Sequence, residues 1–134
     1  MACDDTYAPK QYFSFFQLTR VHVHVVPTED GTSVAQHVLA RLLDIKHEPD
    51  DHLWLVLDTD HCIEGTHLRS FTQTLREARE SGVQVALSRP CFELWLLLHH
   101  LKRNHVEGLA DAKAVTAALK KVPGGYSKIE LKKD

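Results

Sequence analysis

A continuous apolar run at residues 53–57 (LWLVL) constrains the fold of this chain more than any other feature. Five consecutive apolar residues, without the alternation of a half-exposed strand, are typical of a strand that is buried on both faces. Such strands occur in parallel sheets that are covered by helices on either side. Asp58-Thr59-Asp60 follows directly, so the sequence predicts two carboxylates at the end of this strand, where ligands bind in open parallel sheets.

The neighbouring segments alternate between strand and helix patterns. Further strands are predicted where β-branched or apolar residues run together, at residues 21–26 and 83–87. Helices are predicted where apolar residues recur every three or four positions, at residues 33–43, 68–78, 91–101 and 111–122. Ser33 is expected to cap the first of these helices and Gly82 to end the second. This alternation predicts an α/β fold, a three-layer Rossmann-like and mostly parallel sheet flanked by helices.

Length and composition favour one ordinary globular domain over residues 1–134. The chain is 43% hydrophobic and 25% charged, and it is too short for two domains of typical size. Its longest apolar run, residues 94–98, is far below membrane-spanning length, so no membrane span is expected. The opening residues 1–5 (MACDD) lack the basic and apolar regions of a secretion signal, and we expect a cytoplasmic protein. Three widely spaced cysteines without a CxxC pair predict reduced, mostly buried thiols: Cys3, Cys62 and Cys91.

The charges are unevenly distributed along the chain. The formal net charge is −2, but residues 102–134 contain eight Lys or Arg against four Asp or Glu, which leaves the remainder at −6. A basic segment beside an acidic body fits a metal site next to a phosphate-binding track. A solvated basic helix explains the same pattern equally well.

Two carboxylates as close as those of Asp58 and Asp60 repel each other, and each raises the pKa of the other. They are accommodated by a shared proton or by a hard cation, and Mg²⁺ prefers one or two carboxylates together with water and phosphate oxygens. We therefore expect Mg²⁺, or Mn²⁺, at this position. Alternatives are a solvated turn without a metal, and an aspartate-based phosphatase in which Asp58 is the nucleophile.

Ten histidines raise the further alternative of zinc. His22 and His24 lie two positions apart on one predicted strand, and His99 and His100 are adjacent, but no third and fourth ligand with the spacing of a zinc site is evident. The sequence therefore favours Mg²⁺ over zinc, with His61 or His99 as candidates for a supporting role beside the metal.

Three segments carry a resemblance to a known family. Residues 88–99 (SRPCFELWLLLH) strongly resemble the SNPCFELWLLLH signature of RloB-like proteins, with Arg89 in place of Asn. Residues 3–13 (CDDTYAPKQYF) are similar to the family's opening CEDTKxxPxYF, and residues 126–128 (YSK) are similar to its YxK element. The resemblance thus extends over nearly the whole chain.

This resemblance implies a TOPRIM-type nuclease fold related to the AbiL components of abortive-infection systems. It implies that Asp58 and Asp60 hold Mg²⁺ and that Asp4 stands at the position of a Glu that serves in metal binding or acid–base chemistry. The expected activity is Mg²⁺-dependent cleavage of RNA or DNA, in a toxic effector of anti-phage defence. The resemblance implies a separate ATPase partner as well. The chain has no GxxxxGK[ST] loop, so any nucleotide hydrolysis is expected to come from that other chain.

Glu93 and Lys128 are two further candidate site residues, and the chain differs from the RloB-like pattern in two places. Glu93 is a carboxylate in an apolar segment, so we weigh a metal or catalytic role against a buried structural hydrogen bond. Lys128 is expected to neutralise a phosphate, or to be a plain surface lysine. Asp4 is one methylene shorter than the family's Glu, and the family's first strand is reduced to residues 1–3. If that strand is missing, Asp4 loses its rigid mount and an unpaired sheet edge favours self-association into a homo-oligomer.

These departures keep a second function open, a catalytically degenerate TOPRIM-like module that binds metal or nucleic acid without turnover. Phe92 and Trp95 suggest base stacking, but residues at helical spacing in an apolar run are usually part of the core, and we predict burial for both.

Overall fold

The computed structural model describes residues 1–17, 25, 34–60 and 67–128. The predicted strand at residues 21–26 and the predicted cap Ser33 lie outside the described residues, apart from Val25. A single-turn 3₁₀ helix covers Arg103–His105. In chain order the other elements are β1 (Ala2–Cys3), α1 (Ala8–Ser14), α2 (Ala35–Asp44), β2 (Trp54–Asp58), α3 (His67–Glu80), β3 (Gln84–Ser88), α4 (Glu93–Leu97) and α5 (Ala112–Leu119).

The described strands form a parallel sheet in the order β1-β2-β3, with β2 in the centre. This confirms the predicted parallel sheet. β1 has only two residues, as the reduced opening segment indicates, yet Cys3 pairs with Val56 of β2. At the other edge Asp58 is in register with Ser88, so the carboxyl ends of β2 and β3 lie side by side.

Helices cover both faces of the sheet, because successive side chains of a strand point to opposite faces. Leu55 and Leu57 are buried against α2 and α3, and we call these two helices the apolar layer. Val56 is buried on the opposite face against α1, α4 and α5, which we call the cavity layer. The three-layer Rossmann-like arrangement and the two-sided burial of β2 are therefore confirmed.

The predicted helix ends are partly confirmed. Gly82 adopts φ +72°, and the following amide of Val83 donates to the carbonyl of Ala78 at 2.8 Å, so the chain turns from α3 directly into β3. The N-cap of α2 is Val34, which makes no side-chain hydrogen bond, while the predicted cap Ser33 is not among the described residues. No helix in the described part of the chain is long and apolar enough to cross a membrane.

The predicted helix at residues 91–101 is shorter than expected. α4 ends at Leu97, because the amides of His99 and His100 bond to carbonyls three residues back instead of four. Phe92 is buried as predicted, but Trp95 is 49% exposed, and its prediction as a core residue is wrong. Its ring meets the rings of Tyr12 and His99 edge-on at the margin of the core, at 6.4 and 5.5 Å between centroids.

Candidate active site

An open cavity of about 650 Å³ lies beyond the carboxyl ends of β1 and β2, where the strand pattern predicts a ligand site. Its walls include the five acidic and basic side chains that the sequence assigned to metal binding or catalysis: Asp4, Asp58, Asp60, Glu93 and Lys128. These residues come from four separate parts of the chain. The structure therefore brings the predicted site residues together in one place.

The backbone around the Asp58-Thr59-Asp60 segment is tied to the end of the neighbouring strand. The amide of Thr59 donates to the carbonyls of Ser88 and Pro90 at 3.0 and 3.1 Å, and the amide of Asp60 donates to Pro90 at 3.0 Å. These bonds continue the β2–β3 pairing past the strand ends. They fix the positions from which the two carboxylates project.

Asp4 follows β1 directly and is held against β2. Its Oδ2 accepts a hydrogen bond of 2.8 Å from the backbone amide of Asp58. The short β1 therefore still mounts Asp4 on the sheet, and the loss of its rigid support that a missing strand predicts does not occur.

The carboxyl groups of Asp4 and Asp58 are buried close to other acidic side chains. Burial, followed by repulsion from Asp4, Glu93 and Asp60, raises the pKa of Asp58 from 3.8 to about 9. Burial raises the pKa of Asp4 to about 7, although the amide of Asp58 favours its ionised form. Without a cation, this part of the cavity cannot hold all of its carboxylates ionised at neutral pH without a free-energy cost.

Glu93 lies at the start of α4 and is only 5% exposed. The hydroxyl of Tyr126 donates to its Oε1 at 2.7 Å. Burial and this hydrogen bond raise the pKa of Tyr126 above its ordinary value, so the phenol remains a donor. Both expectations for Glu93 are therefore compatible with the structure, since it lines the cavity and also accepts a buried hydrogen bond.

Lys128 makes an ion pair with Asp5, with 3.0 Å between Nζ and Oδ2. The other oxygen of Asp5, Oδ1, accepts from the amides of Tyr7 and Ala8 at 2.6 and 3.0 Å, at the start of α1. Burial lowers the pKa of Lys128, but the contact with Asp5 outweighs this effect and the pKa is raised. The ammonium group is therefore held charged at the cavity wall.

The RloB-like protein family model matches residues 1–134. The chain belongs to the RloB-like family. A search of curated proteins and a search of solved structures each found no match.

Residues 88–99 contribute to the site at more than one position. Ser88 and Pro90 supply the carbonyls that fix the Asp58-Thr59-Asp60 backbone, and Glu93 enters the cavity three residues later. Arg89, the residue that departs from the signature, is not among the residues that line the cavity.

Two contributing residues of this RloB-like chain, Asp5 and Tyr126, were not predicted individually. A local signal existed for Asp5, because an Asp shortly before Pro9 at a helix start is typical of an N-terminal capping acceptor. No local signal existed for Tyr126, whose partner Glu93 lies 33 positions away. α5 adds Thr116 and Lys120 to the cavity wall.

The remaining sequence candidates lie elsewhere. His99 bonds to the hydroxyl of Tyr12 at 3.1 Å and is not part of the cavity wall, while His22, His24 and His61 lie outside the described residues. Cys3 and Cys91 are buried thiols that form no disulfide, which confirms the prediction for these two, and Cys62 is not described.

The chemistry of the cavity fits a hard cation. Among residues 1–17, 25, 34–60 and 67–128, no three His, Cys, Asp or Glu side chains are already arranged as a metal-binding group. Mg²⁺ does not require such a group, because it commonly takes one or two carboxylates and completes its shell with water and phosphate oxygens. The crowded carboxyls of Asp4 and Asp58 are oxygen donors whose ionised forms a cation stabilises. The residues present therefore fit Mg²⁺ or Mn²⁺.

Proposed function

We propose that this RloB-like chain is a metal-dependent phosphodiesterase that cuts RNA or DNA. The observation that carries the proposal is the assembly of Asp4, Asp58, Asp60, Glu93 and Lys128 around one cavity at the carboxyl edge of a parallel sheet. The carboxylates can hold a divalent cation and Lys128 adds a second positive charge, and positive charge stabilises the negative charge that develops on a phosphate as it reacts.

Asp58, Asp60 and Asp4 would hold Mg²⁺ or Mn²⁺. When bound, the metal would supply charge stabilisation at the phosphate and favour ionisation of a water molecule. Asp4 also fixes the amide at the end of β2, so it supports the position of Asp58 as well as contributing an oxygen.

Glu93 is the proposed proton acceptor. The hydrogen bond from Tyr126 orients its carboxylate, and a fixed orientation is what general-base catalysis needs from a buried group. Lys128 is the proposed phosphate-neutralising residue, since its ammonium is held at the wall by Asp5 and keeps its charge there.

Family membership supports a wider proposal. We propose a TOPRIM-type nuclease related to AbiL components, acting in the cytoplasm as the toxic effector of an anti-phage defence system. A separate ATPase chain would restrain or trigger it, and the short β1 edge would support a homo-oligomer.

A degenerate module that binds metal or nucleic acid without cutting is the second candidate. The observation that favours it is the engagement of Asp4, whose Oδ2 already accepts the amide of Asp58 and whose side chain is shorter than the family's Glu. An error of about 1 Å in the placement of a catalytic group reduces the rate by about 100-fold.

The deciding experiment incubates the purified chain with RNA and with plasmid DNA in Mg²⁺, Mn²⁺ or EDTA. Cleavage should require the metal and should fall at least about 100-fold in Asp58→Asn. Asp50→Asn is the matched control, because Asp50 is exposed and lies outside the cavity. Metal binding without cleavage would identify the degenerate module, and a covalent aspartyl-phosphate on Asp58 would replace the nuclease with the phosphatase.

A further inference from the structure

We infer that the cavity receives an unpaired nucleotide, with its base against Tyr7 and its phosphate between the carboxylates and the lysines of the wall. The inference rests on the proposed function, because it assigns the substrate class of the same cavity. It predicts single-stranded nucleic acid, or an unpaired position in a folded one, as the substrate.

Tyr7 is the aromatic residue that sets this preference. It lines the cavity and is 44% exposed, beside Asp5 in the turn that leads into α1. No ring contact joins it to another described residue, whereas Tyr12 of α1 packs against five other rings. A large aromatic surface is thus kept open at the wall of a charged site.

The backbone of Tyr7 is fixed although its side chain is exposed. Its amide donates to Asp5 Oδ1 at 2.6 Å, and the opposite oxygen of Asp5 holds Lys128. One buried carboxylate therefore sets the positions of an aromatic ring and of a cation on the same wall. Lys120, at the C-terminal end of α5, adds a second cation to the cavity.

An aromatic ring next to cations is the combination that binds single-stranded nucleic acid, because bases stack on the ring while phosphates meet the positive charges. A base inside a duplex has both faces covered by its neighbours and offers none to Tyr7. The cavity volume of about 650 Å³ lies in the range of small-ligand sites, so it suits one nucleotide.

The test measures binding by fluorescence anisotropy in Mg²⁺, with labelled single strands of about 10 nucleotides, RNA and DNA, and with the same sequences as blunt duplexes. The single strands should bind more tightly than the duplexes. Tyr7→Ala should weaken single-strand binding by about 5- to 150-fold, the range expected for one stacked base. Tyr7→Phe keeps the ring and should retain most of the affinity.

Two further variants control for folding and for aromatic exposure. Tyr7→Leu keeps apolar bulk without a π face, and should lose affinity like Tyr7→Ala. Phe16→Ala removes a ring of similar exposure, 48%, outside the cavity wall, and should bind normally. Unchanged binding in Tyr7→Ala and Tyr7→Leu, equal binding of duplexes, or no nucleic-acid binding at all would overturn the inference.

A gel of the oligonucleotides after each titration separates this inference from the proposed function. Tyr7-dependent binding without cleavage keeps the unpaired-nucleotide site and removes the phosphodiesterase. Metal-dependent cleavage that is indifferent to Tyr7 keeps the phosphodiesterase and removes the stacking site.

Discussion

The two helical layers of this RloB-like chain bury different kinds of side chain against the two faces of the central strand β2. Beneath α2 and α3, the apolar layer, the core consists of aliphatic side chains with Phe71, and α3 adds the buried polar residue Thr74. On the opposite face, the cavity layer holds the buried carboxylates Asp5 and Glu93, together with two buried thiols.

Within β2, the residues that stabilise the fold are therefore different from the residue that lies in the candidate active site. Leu55 and Leu57 of β2 point into the apolar layer, and the strand then ends at Asp58 in the cavity. Close packing makes apolar burial stabilising, whereas crowded carboxylates cost stability unless they are protonated or neutralised. Truncating a buried aliphatic side chain of the apolar layer should therefore lower the free energy of unfolding, whereas neutralising a crowded carboxyl group of the cavity should raise it.

The largest expected effect on stability is in the apolar layer. Leu42 of α2 is 2% exposed, and Leu42→Ala should lower the free energy of unfolding by about 2–5 kcal/mol, because it removes buried methyl groups and leaves a cavity. Urea denaturation measures the loss. Mg²⁺ affinity of the folded variant should be unchanged, since Leu42 is on the face of the sheet opposite the cavity layer.

The adjacent leucine is the matched control. Leu43 is 41% exposed, and Leu43→Ala should change the free energy of unfolding by no more than about 0.5 kcal/mol. Equal losses in the two variants, or a loss of Mg²⁺ affinity in Leu42→Ala, would contradict the separation of the layers.

The sequence predicts the frame of this fold because its signals are local. The apolar run at residues 53–57 predicts a doubly buried strand, and the position of Asp58 and Asp60 after it predicts their place at the sheet edge. Glu93 was singled out as a carboxylate in an apolar segment, and Lys128 through its place in the YxK element. Long-range contacts of the folded chain bring these side chains into one cavity, and local sequence patterns do not predict such contacts.

Other features could not be predicted because they depend on tertiary contacts. The early end of α4 and the exposure of Trp95 follow from packing at the margin of the core beside Tyr12, not from the apolar pattern of the helix itself. The hydrogen bond from Tyr126 to Glu93 likewise joins segments with no local relation.

Neutralising a carboxyl group of the cavity should raise the free energy of unfolding, whereas truncating Leu42 should lower it. Burial and repulsion from neighbouring carboxylates raise the pKa of Asp58 from 3.8 to about 9 in the fold, so the contribution of Asp58 to folding stability is fully present below about pH 4 and is lost as the pH rises toward 9. Asp58→Asn removes this cost. In EDTA it should raise the free energy of unfolding by about 1–3 kcal/mol at pH 8 and have little effect at pH 4.5.

Thermal melts of both proteins at the two pH values measure this gain. Mg²⁺ at pH 8 should raise the melting temperature of the native chain more than that of Asp58→Asn, because the metal stabilises the ionised carboxylate. A gain of equal size at both pH values would show that ionisation of the buried and crowded Asp58 carboxyl group is not its cause.

A smaller effect tests whether buried polar contacts of the cavity layer stabilise the fold. Tyr126→Phe removes the hydroxyl that donates to Glu93 and should lower the free energy of unfolding by about 1–2 kcal/mol, because a buried carboxylate loses a donor. Denaturant titrations of the native chain, Tyr126→Phe and Tyr126→Phe/Glu93→Gln measure it. The double variant should recover part of the loss, and no recovery would assign the cost to packing of the ring.

The smallest expected change in the free energy of unfolding concerns α5, which forms part of the cavity wall. Asp111 is its N-cap, and its carboxylate accepts the amide of Ala114 at 2.7 Å. Asp111→Ala should lower the free energy of unfolding by about 1 kcal/mol, while Asp111→Asn, which also caps helices, should cost less. Because Thr116 of α5 and its C-cap Lys120 line the cavity, fraying of this helix should weaken single-strand binding slightly without changing the pH dependence set by Asp58. If Asp111→Ala changes that pH dependence as strongly as Asp58→Asn does, the carboxylate cluster and the helical wall are one cooperative unit, and the cavity layer cannot be divided into separate parts.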